Sequence, residues 1–340
     1  MHRLRRGGGV GPVCGDGRST LTRAPFYGAR RPAYAQPVAT AVRIGCCSFA
    51  DEALVKHWYP RGVSARERLS YYAERYSTVE IDSTFYRLPD EQTVRGWAER
   101  TPAGFVVHIK AFGVMTRHPV PLARIPPGLR AEMPVDERGR VDRPSRATRA
   151  LVFSAFHRAL EPLRQAGKLG GILFQLPPYV VPNPASFDYL EWARGQLGSD
   201  EMLVEFRHRS WFDEDRRAEV LRFLEERRMS YVSVDAPRLD AANVPRTLVA
   251  ATTPLAYVRF HGRNAATWNA RGGGAAKRFD YLYDAGELAE WVEPLRELAG
   301  VAQAAYALFN NNNVSDGLAQ APAGAAVLQR LLAENGVPHG

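Results

Sequence analysis

The feature of this sequence that most constrains its fold is a regular alternation of short β-rich runs with helix-like segments. Repeated strand-then-helix units predict a parallel sheet, and eight such units predict closure into a barrel. We therefore predict an α/β fold, a single (β/α)8 TIM barrel, with a doubly wound open sheet as the alternative. The eight runs are rich in β-branched or aromatic residues and end on a polar residue: Arg43–Ser48, Thr78–Asp82, Phe105–Lys110, Gly171–Gln175, Met202–Arg207, Tyr231–Asp235, Ala256–His261 and Ala305–Asn310.

Helix-like segments follow seven of these runs. Asp90 is a typical N-cap ahead of Val94 and Trp97. The link after the sixth run, Ala236–Pro254, shows no helical pattern. The loop after the third run, Ala111–Ser145, is long and rich in proline, and it either shapes the site or is a plain surface excursion. The predicted helices are Arg66–Tyr76, Asp90–Arg100, Arg146–Gln165, Ala185–Leu197, Asp213–Arg227, Gly286–Leu298 and Ala319–Glu334.

The alternation of side chains along each strand predicts which residues face the barrel axis. Placing Val79 and Ile81 outward against helices directs Glu80 inward. Placing Val232 and Val234 outward directs Asp235 inward in the same way. Under this rule every strand carries polar groups into one mouth at its C-terminal end. The other inward residues are Asp82, Lys110, Gln175, Glu205, Arg207, Arg259, His261 and Asn310.

Residues 1–41 differ from the rest of the chain. Their seven arginines and one aspartate contribute +6 to the net charge of +9. They are rich in Gly, Pro and Arg and lack hydrophobic periodicity, so we predict a disordered basic tail ahead of a barrel domain at residues 42–335. Because the excess charge lies in the tail, it gives little support for nucleic-acid binding by the folded body.

Apolar runs and cysteines bear on localisation. The sequence has no apolar run of the length that a signal peptide or a membrane span requires. The three cysteines, Cys14, Cys46 and Cys47, show no spacing that predicts a disulfide framework. We therefore predict a cytoplasmic protein that does not associate with membranes, and nothing in the sequence predicts its oligomeric state.

Longer phrases at the predicted strand ends resemble those of the YecE-like family, also called domain of unknown function 72. The resemblance covers about residues 42–335 and implies a TIM-barrel fold without a settled activity. The phrases are TVEIDSTFYRLP at Thr78–Pro89, GILFQLPP at Gly171–Pro178, VEFRHRSW at Val204–Trp211, YVRFHGR at Tyr257–Arg263, FDYLY at Phe279–Tyr283 and FNNN at Phe309–Asn312.

The chain departs from the family pattern in two places. The segment Gly45–Phe49 reads GCCSF where the resemblance implies Gly-Cys-Ser-Gly-Trp. Asp82 stands where the family usually has Asn, which adds a negative charge at the predicted mouth. The stretch Lys110–His118 still resembles the family's Lys…Thr-His loop, with Thr116 and His118 matching.

The predicted mouth gathers many ionisable and amide side chains. Burying so many of them is costly unless they pair with one another or meet a ligand, so a salt-bridge network that closes the barrel top is the structural interpretation. The predicted catalytic residues are Glu205, Asp235, His261 and Lys110. The predicted substrate-binding residues are Glu80, Asp82, Gln175, Arg207, His208, Arg259, Arg263, Asn310 and Asn311.

The favoured function is an enzyme that needs no cofactor and acts on a small anionic or sugar-like ligand by acid–base chemistry. Arginines in the mouth would hold phosphate or carboxylate groups. Glu205 or Asp235 would be the base and His261 the acid. Lys110 would form a Schiff base with a carbonyl substrate or an ion pair with a glutamate.

Two alternatives remain open at this stage. A divalent metal would make the chain a hydrolase, nuclease or isomerase, with ligands drawn from Glu80, Glu205, Asp235 and His261. A protein that binds nucleic acid without catalysis would use the arginines and aromatic residues that interleave at Phe206–Trp211 and Phe85–Arg87.

Overall fold

The computed structural model of the protein describes residues 22–23, 40–245, 247–269 and 277–340. Most of the predicted disordered tail, residues 1–41, lies outside the described residues. Within it, Thr22–Arg23 forms a two-residue parallel strand beside Leu248–Val249.

Eight parallel strands form one sheet that curls into a nearly closed barrel, which confirms the predicted TIM-barrel fold. The strands are β1 (Val42–Cys46), β2 (Thr78–Ile81), β3 (Val106–Lys110), β4 (Leu169–Gln175), β5 (Met202–Glu205), β6 (Met229–Asp235), β7 (Leu255–Phe260) and β8 (Ala304–Phe309). From β2 to β8 each strand pairs with the next one along the chain, and β8 also pairs with β1.

Helices pack around the outside of the barrel. The seven predicted helical regions are present, and a helix that was not predicted, α1, follows β1. In the described part of the segment between β6 and β7 there is no helix, as the sequence indicates. The helices are α1 (Glu52–His57), α2 (Arg68–Ala73), α3 (Glu91–Glu99), α4 (Arg146–Ala159), α5 (Glu161–Gln165), α6 (Pro184–Gln196), α7 (Arg217–Glu226), α8 (Ala285–Ala289), α9 (Val292–Val301) and α10 (Gln320–Glu334).

Local sequence explains where several helices begin. The Asp90 carboxylate accepts a hydrogen bond from the Thr93 backbone N–H at 2.7 Å, as predicted for an N-cap. Asp284 and Glu287 form a capping box at the start of α8. The buried faces then follow helical spacing, as in α7, where Val220, Leu221 and Leu224 are all fully buried.

A tyrosine side chain joins the two ends of the sheet. The Tyr72 hydroxyl accepts a hydrogen bond from Cys46 N at 2.7 Å and donates one to Thr78 O at 3.1 Å. It thereby links β1 to β2, between which no strand pairing is present in the described residues. The strands come so close that a Cβ at Gly45 would lie 2.4 Å from Thr78 O. The absence of a side chain at Gly45 therefore allows the barrel to close.

The end of the chain also pairs with β1. Val42 N donates to Pro338 O at 2.8 Å, and Ile44 N donates to Gly340 O at 3.0 Å. Residues 338–340 therefore belong to the barrel, five residues beyond the boundary predicted at residue 335.

The interior of the barrel is packed with side chains from alternate strand positions. Leu173, Leu203 and Tyr257 belong to this inner cluster, whereas their strand neighbours pack on the helices. The His108 ring lies edge-on against the rings of Tyr257 and Tyr306, at centroid distances of 4.8 and 4.4 Å. Burial lowers the pKa of His108 to about 3, so this ring is neutral.

The predicted orientation of β6 is wrong. Val232 and Val234 lie in the inner cluster, and Asp235 points outward between the strands and the helix layer. Both faces of a barrel strand are buried, so the more apolar face need not be the outer one. The polar residues of β6 find partners outside the barrel instead.

None of the described helices combines the length and apolar character needed to cross a membrane.

Candidate functional site

Four charged or titratable side chains form a buried network across the inside of the barrel top, which we call the floor: Glu80, Glu205, Arg259 and His261. All four are 0% exposed. The Arg259 guanidinium lies between the two carboxylates, donating to Glu80 Oε1 at 2.7 Å and to Glu205 Oε2 at 2.5 Å. The Tyr257 hydroxyl donates to the second oxygen of Glu80 at 3.0 Å. The two negative charges are therefore compensated inside the barrel by one shared cation.

Glu205 is the most heavily hydrogen-bonded member of the floor. Besides Arg259, its carboxylate contacts Gln175 Nε2 at 2.7 Å, His261 Nε2 at 3.0 Å and Arg207 Nη1 at 3.1 Å. Burial opposes ionisation, but Arg259 above all, then His261 and Arg207, outweigh it and hold the pKa of Glu205 well below its usual value. A carboxylate that is saturated with donors and so acidic is a poor general base.

His261 is held in one tautomer by its two partners. Burial lowers its pKa to about 3 despite the attraction of Glu205, so the imidazole is neutral. Asn310 Nδ2 lies 2.8 Å from His261 Nδ1, which makes Nδ1 the acceptor and leaves the proton on Nε2. The Nε2–H group then donates to Glu205. The ring also stacks on Phe279 at 5.1 Å.

A cavity of about 430 Å³ lies above the floor, at the C-terminal ends of the strands, and we call it the mouth. Its wall combines charged, amide and aromatic side chains. Five of the predicted site residues line it: Asp82, Lys110, Gln175, Arg207 and Asn310.

Lys110 and Asp82 are the charged residues of the mouth with the fewest hydrogen-bond partners among the described residues. Neither the Lys110 Nζ nor the Asp82 carboxylate makes a hydrogen bond or a close ion pair with any residue that the structure describes. The ammonium lies 4.8 Å from the centre of the Phe85 ring. Burial and then Arg259 lower the pKa of Lys110, against the attraction of Asp82. Burial raises the pKa of Asp82 to about 6, against the attraction of Lys110.

Hydrogen-bond acceptors line another part of the mouth. Asp51 caps helix α1 through Oδ1, which accepts from Leu54 N at 3.0 Å, while its Oδ2 is buried and has no partner among the described residues. Asn312 Oδ1 is likewise buried without a partner in the described part of the chain. Both residues line the mouth. A buried acceptor without a donor is costly, so these two atoms suit a ligand that carries hydroxyl groups.

Cationic and aromatic side chains form the remaining wall. The Arg207 guanidinium lies 5.2 Å from the centre of the Trp268 ring and 5.8 Å from that of Phe279. Arg278 also lines the mouth, and its Nε donates to Trp268 O at 3.0 Å. Two guanidinium groups near one aromatic wall suit a ligand with a phosphate or carboxylate group.

The structure brings four of the predicted site residues to neither the floor nor the mouth. Asp235 accepts hydrogen bonds from the Trp291 indole at 2.7 Å, the Tyr283 hydroxyl at 2.7 Å and Arg263, all on the helix side of the barrel. Arg263 also contacts Glu290 there. The prediction that these two face the mouth is therefore wrong, because partners far along the chain draw them outward.

His208 and Asn311 have local roles instead. His208 Nδ1 contacts the Ser210 hydroxyl at 2.7 Å and caps the short 3-10 helix Arg209–Phe212. Asn311 is 0% exposed, and its Nδ2 donates to Tyr281 O at 2.8 Å. Along the FNNN phrase, Asn310 and Asn312 reach the mouth and the intervening Asn311 does not.

The donor set of the metal alternative is not assembled. Arg259 occupies the space between Glu80 and Glu205, and Asp235 lies on the other face of its strand. Across the ranges that the structure describes, no three His, Cys, Asp or Glu side chains are grouped so that they could hold a metal ion.

The aromatic residues of the nucleic-acid alternative are differently placed. Phe206 and Trp211 are 1% and 0% exposed, so they cannot stack on bases. Phe85 lies beneath Lys110 in the mouth, and Tyr86 is 55% exposed. Binding of nucleic acid to this chain stays a prediction.

Sequence reasoning missed several residues of the mouth. Asp51 follows β1 but belongs to a helix that was not predicted. Arg278 and Phe279 come from a segment outside any strand, although Phe279 lies in the FDYLY phrase that carries the family resemblance. Asn312 ends the FNNN phrase. The resemblance phrases were thus the one sequence signal that could have found Phe279 and Asn312.

Comparison with known proteins identifies relatives over nearly the whole described barrel. A family model described as "Protein of unknown function DUF72" matches residues 43–339. The UPF0759 protein YunF of Bacillus subtilis is 30% identical over 278 residues, covering 81% of this chain and 90% of YunF.

Solved structures give the same result. A DUF72 family protein from Thermotoga maritima is 28% identical, with a TM-score of 0.67, and the match covers 86% of this chain and 99% of that one. A DUF72 family protein from Enterococcus faecalis is 26% identical with a TM-score of 0.69, covering 86% of this chain and 95% of that one.

Proposed function

The chain belongs to the DUF72 family of TIM-barrel proteins, and on that premise we propose that it is an enzyme whose mouth binds an anionic, hydroxylated ligand, with Lys110 as the group that moves a proton. The observation that carries this proposal is the state of Lys110. Its amine faces a cavity, has no hydrogen-bond partner among the described residues and has a lowered pKa. Perturbed titratable groups of this kind are concentrated at active sites.

The mouth divides into a donor side and an acceptor side. Arg207 and Arg278 supply charged donors for a phosphate or carboxylate group. Asp51 Oδ2 and Asn312 Oδ1 are acceptors that lack donors within the described residues. A sugar acid or a sugar phosphate carries both kinds of complementary group, whereas a neutral sugar or a simple anion carries only one.

The chemistry proposed for Lys110 is proton transfer. In its neutral form the amine takes a proton from a ligand C–H or O–H group and becomes an ammonium, which later returns the proton. Asp82 favours the ammonium through its negative charge, and Arg259 opposes it. Glu205 and His261 support the mouth from below and do not transfer the proton themselves, because their polar atoms already make hydrogen bonds.

Thermal denaturation with a set of probe ligands tests this proposal. We expect gluconate and glucose 6-phosphate to raise the melting temperature of the full-length protein more than glucose, acetate or inorganic phosphate do. Lys110→Gln should remove most of this stabilisation. The matched control is Lys56→Gln, since Lys56 is exposed and pairs with Glu52 at 2.5 Å.

Two results would count against the proposal. One is equal stabilisation by glucose and gluconate, which would show that the donor side binds nothing. The other is an unchanged ligand response in Lys110→Gln. The pH dependence gives a further check: stabilisation by gluconate should weaken as the pH rises through the lowered pKa of Lys110, because the ammonium loses its charge there.

A further inference from the structure

A second cavity, of about 610 Å³, lies beside the mouth. It is enclosed by the loop of residues 111–145 together with helices α4 and α6. His118 lines both cavities, so they are neighbours that share one wall. We call this second space the side cavity.

The arginines of the side cavity fall into two groups. Three of them have an acidic partner: Arg140 pairs with Asp136 at 2.7 Å, Arg146 with Asp188, and Arg143 with Asp142 at 3.9 Å. Arg117 and Arg149 have no acidic partner among the described residues, although they line the same cavity. The side cavity therefore contains two guanidinium groups whose charge the described protein does not compensate.

These two arginines contact the same aromatic ring. Each guanidinium lies 5.4 Å from the centre of the same ring, that of Tyr189. The Tyr189 hydroxyl is fixed by donating to Met115 O at 2.5 Å. Arg149 Nε is buried with no hydrogen-bond partner in the described part of the chain. Burial lowers the pKa of Arg149, and the positive charge of Arg117 adds to this effect against the influence of Tyr189.

The backbone at Arg117 also has an unusual conformation. Its φ of 66° lies in the left-handed region, which residues other than glycine rarely adopt. The Tyr179 hydroxyl donates to Arg117 O at 2.5 Å and holds this conformation. The Arg117 side chain lines the side cavity and contacts the Tyr189 ring there.

We propose that the side cavity is an oxyanion site, in which Arg117 and Arg149 bind a phosphate or carboxylate group, and that one ligand extends from it into the mouth. The first part stands on the side cavity alone. Two unpaired guanidiniums over one ring make charge-assisted, forked hydrogen bonds to an oxyanion and lose their mutual repulsion when it binds. The second part rests on the proposed function of the mouth and on the shared His118.

Arginine labelling of the wild-type protein tests the first part without any risk of misfolding. Phenylglyoxal modifies accessible arginines, and mass spectrometry locates the product. We expect inorganic phosphate, or acetate if carboxylate is the preferred group, to protect Arg117 and Arg149 but not the exposed Arg158, which lies outside the side cavity. Labelling of Arg117 and Arg149 that neither anion slows would overturn the proposal.

Calorimetric titration with inorganic pyrophosphate separates this site from the mouth. Arg117→Gln/Arg149→Gln should weaken binding about tenfold, the loss expected for one charged, forked contact. Arg158→Gln is the matched control and should bind as the wild type does, because Arg158 is exposed on helix α4 and does not line the side cavity. Unchanged affinity in the double variant would contradict the oxyanion site.

Lys110→Gln distinguishes the two proposals in the same experiment. If pyrophosphate spans both cavities, Lys110→Gln weakens its binding as well. If only Arg117→Gln/Arg149→Gln weakens it, the side cavity is a separate oxyanion site and the extended ligand is wrong. If only Lys110→Gln weakens it, the mouth binds anions and the side cavity does not.

Discussion

The floor and the mouth of the barrel contain similar residue types but differ in how their polar atoms are satisfied. In the floor, Arg259 bridges Glu80 and Glu205, and His261 has a partner on each ring nitrogen. In the mouth, Lys110 and Asp82 have no hydrogen-bond partner among the described residues. Of the side-chain polar atoms of the floor, Arg259 Nε alone is buried without a hydrogen-bond partner among the described residues. Densely hydrogen-bonded networks stabilise a fold, whereas unsatisfied groups in a cavity lower its stability and are available to a ligand. The same strand ends thus supply a structural network in the floor and ligand-accessible groups in the mouth above it.

The largest effect should come from removing the central cation of the floor. Arg259→Met leaves two buried carboxylates without their shared partner, so we expect it to lower the free energy of unfolding by about 3–5 kcal/mol. Urea denaturation measures this loss. Arg207→Met is the control, because Arg207 makes one hydrogen bond to the same glutamate. It should cost less, about 1.5–3 kcal/mol, which is typical of one hydrogen bond between charged groups. Equal losses in the two variants would mean that the floor is not a single network around Arg259.

The second effect concerns how the floor responds to acid. The pKa of His261 is about 3 in the folded protein and near 6.5 when unfolded, so its contribution to stability is complete above pH 6.5 and is lost as the pH falls towards 3. At pH 5 this loss amounts to about 2 kcal/mol. His261→Gln should therefore show a shallower decline in stability between pH 7 and pH 5, measured by urea denaturation at each pH. A decline as steep as in the wild type would show that His261 is charged when folded.

The contribution of the mouth to the free energy of unfolding should change with pH in the opposite direction. The folded pKa of Asp82, about 6, lies above its unfolded value, so the protonated form stabilises the fold at low pH and this contribution is lost as the pH rises through 6. Asp82→Asn should then raise the free energy of unfolding at pH 8 by about 2–3 kcal/mol and change it little at pH 4. A variant that is less stable than the wild type at pH 8 would show that Asp82 is satisfied in the native protein.

The smallest effect on stability should come from Lys110 itself. Lys110→Met removes an amine that bonds to none of the described residues and whose charged form burial disfavours, so the free energy of unfolding should stay the same or rise by about 0.5 kcal/mol. Lys168 provides the contrast, because its Nζ donates to Ala98 O and Thr101 O, both at 2.6 Å. Lys168→Met should cost about 1–3 kcal/mol. A large loss in Lys110→Met alone would place Lys110 with the floor.

The fold was predictable because its signal is repeated. Eight strands and the helices between them each support the same fold, and a misplaced strand or helix boundary does not change the predicted fold. The orientation of single strands was less secure. On β7 the polar Arg259 and His261 contrast with Val258 and Phe260, and the prediction holds. On β6 the polar Asp235 is satisfied by Trp291 and Tyr283, whose positions no local pattern reveals.

The sequence predicted which residues lie at the candidate site better than it predicted the role of each residue. Sequence alternation placed Glu205, Arg259 and Lys110 at one end of the barrel, as the structure does. It gave no sign that Glu205 would be saturated while Lys110 would remain free of hydrogen bonds to the described residues. That difference depends on depth along the barrel axis and on contacts between strands distant in sequence. It moves our proposed acid–base role from Glu205 and His261 to Lys110.

Titration of the lysine side chains by NMR tests the contrast between floor and mouth most directly. The sequence contains four lysines, Lys56, Lys110, Lys168 and Lys277, so ¹³C signals from the reductively methylated protein can be assigned with single variants. We predict that the pKa of Lys110 lies below the usual value of a lysine, and that it rises when gluconate binds, because the anion favours the ammonium. A Lys110 that titrates with the usual pKa of a lysine, and does not respond to gluconate, would contradict an active mouth above a structural floor.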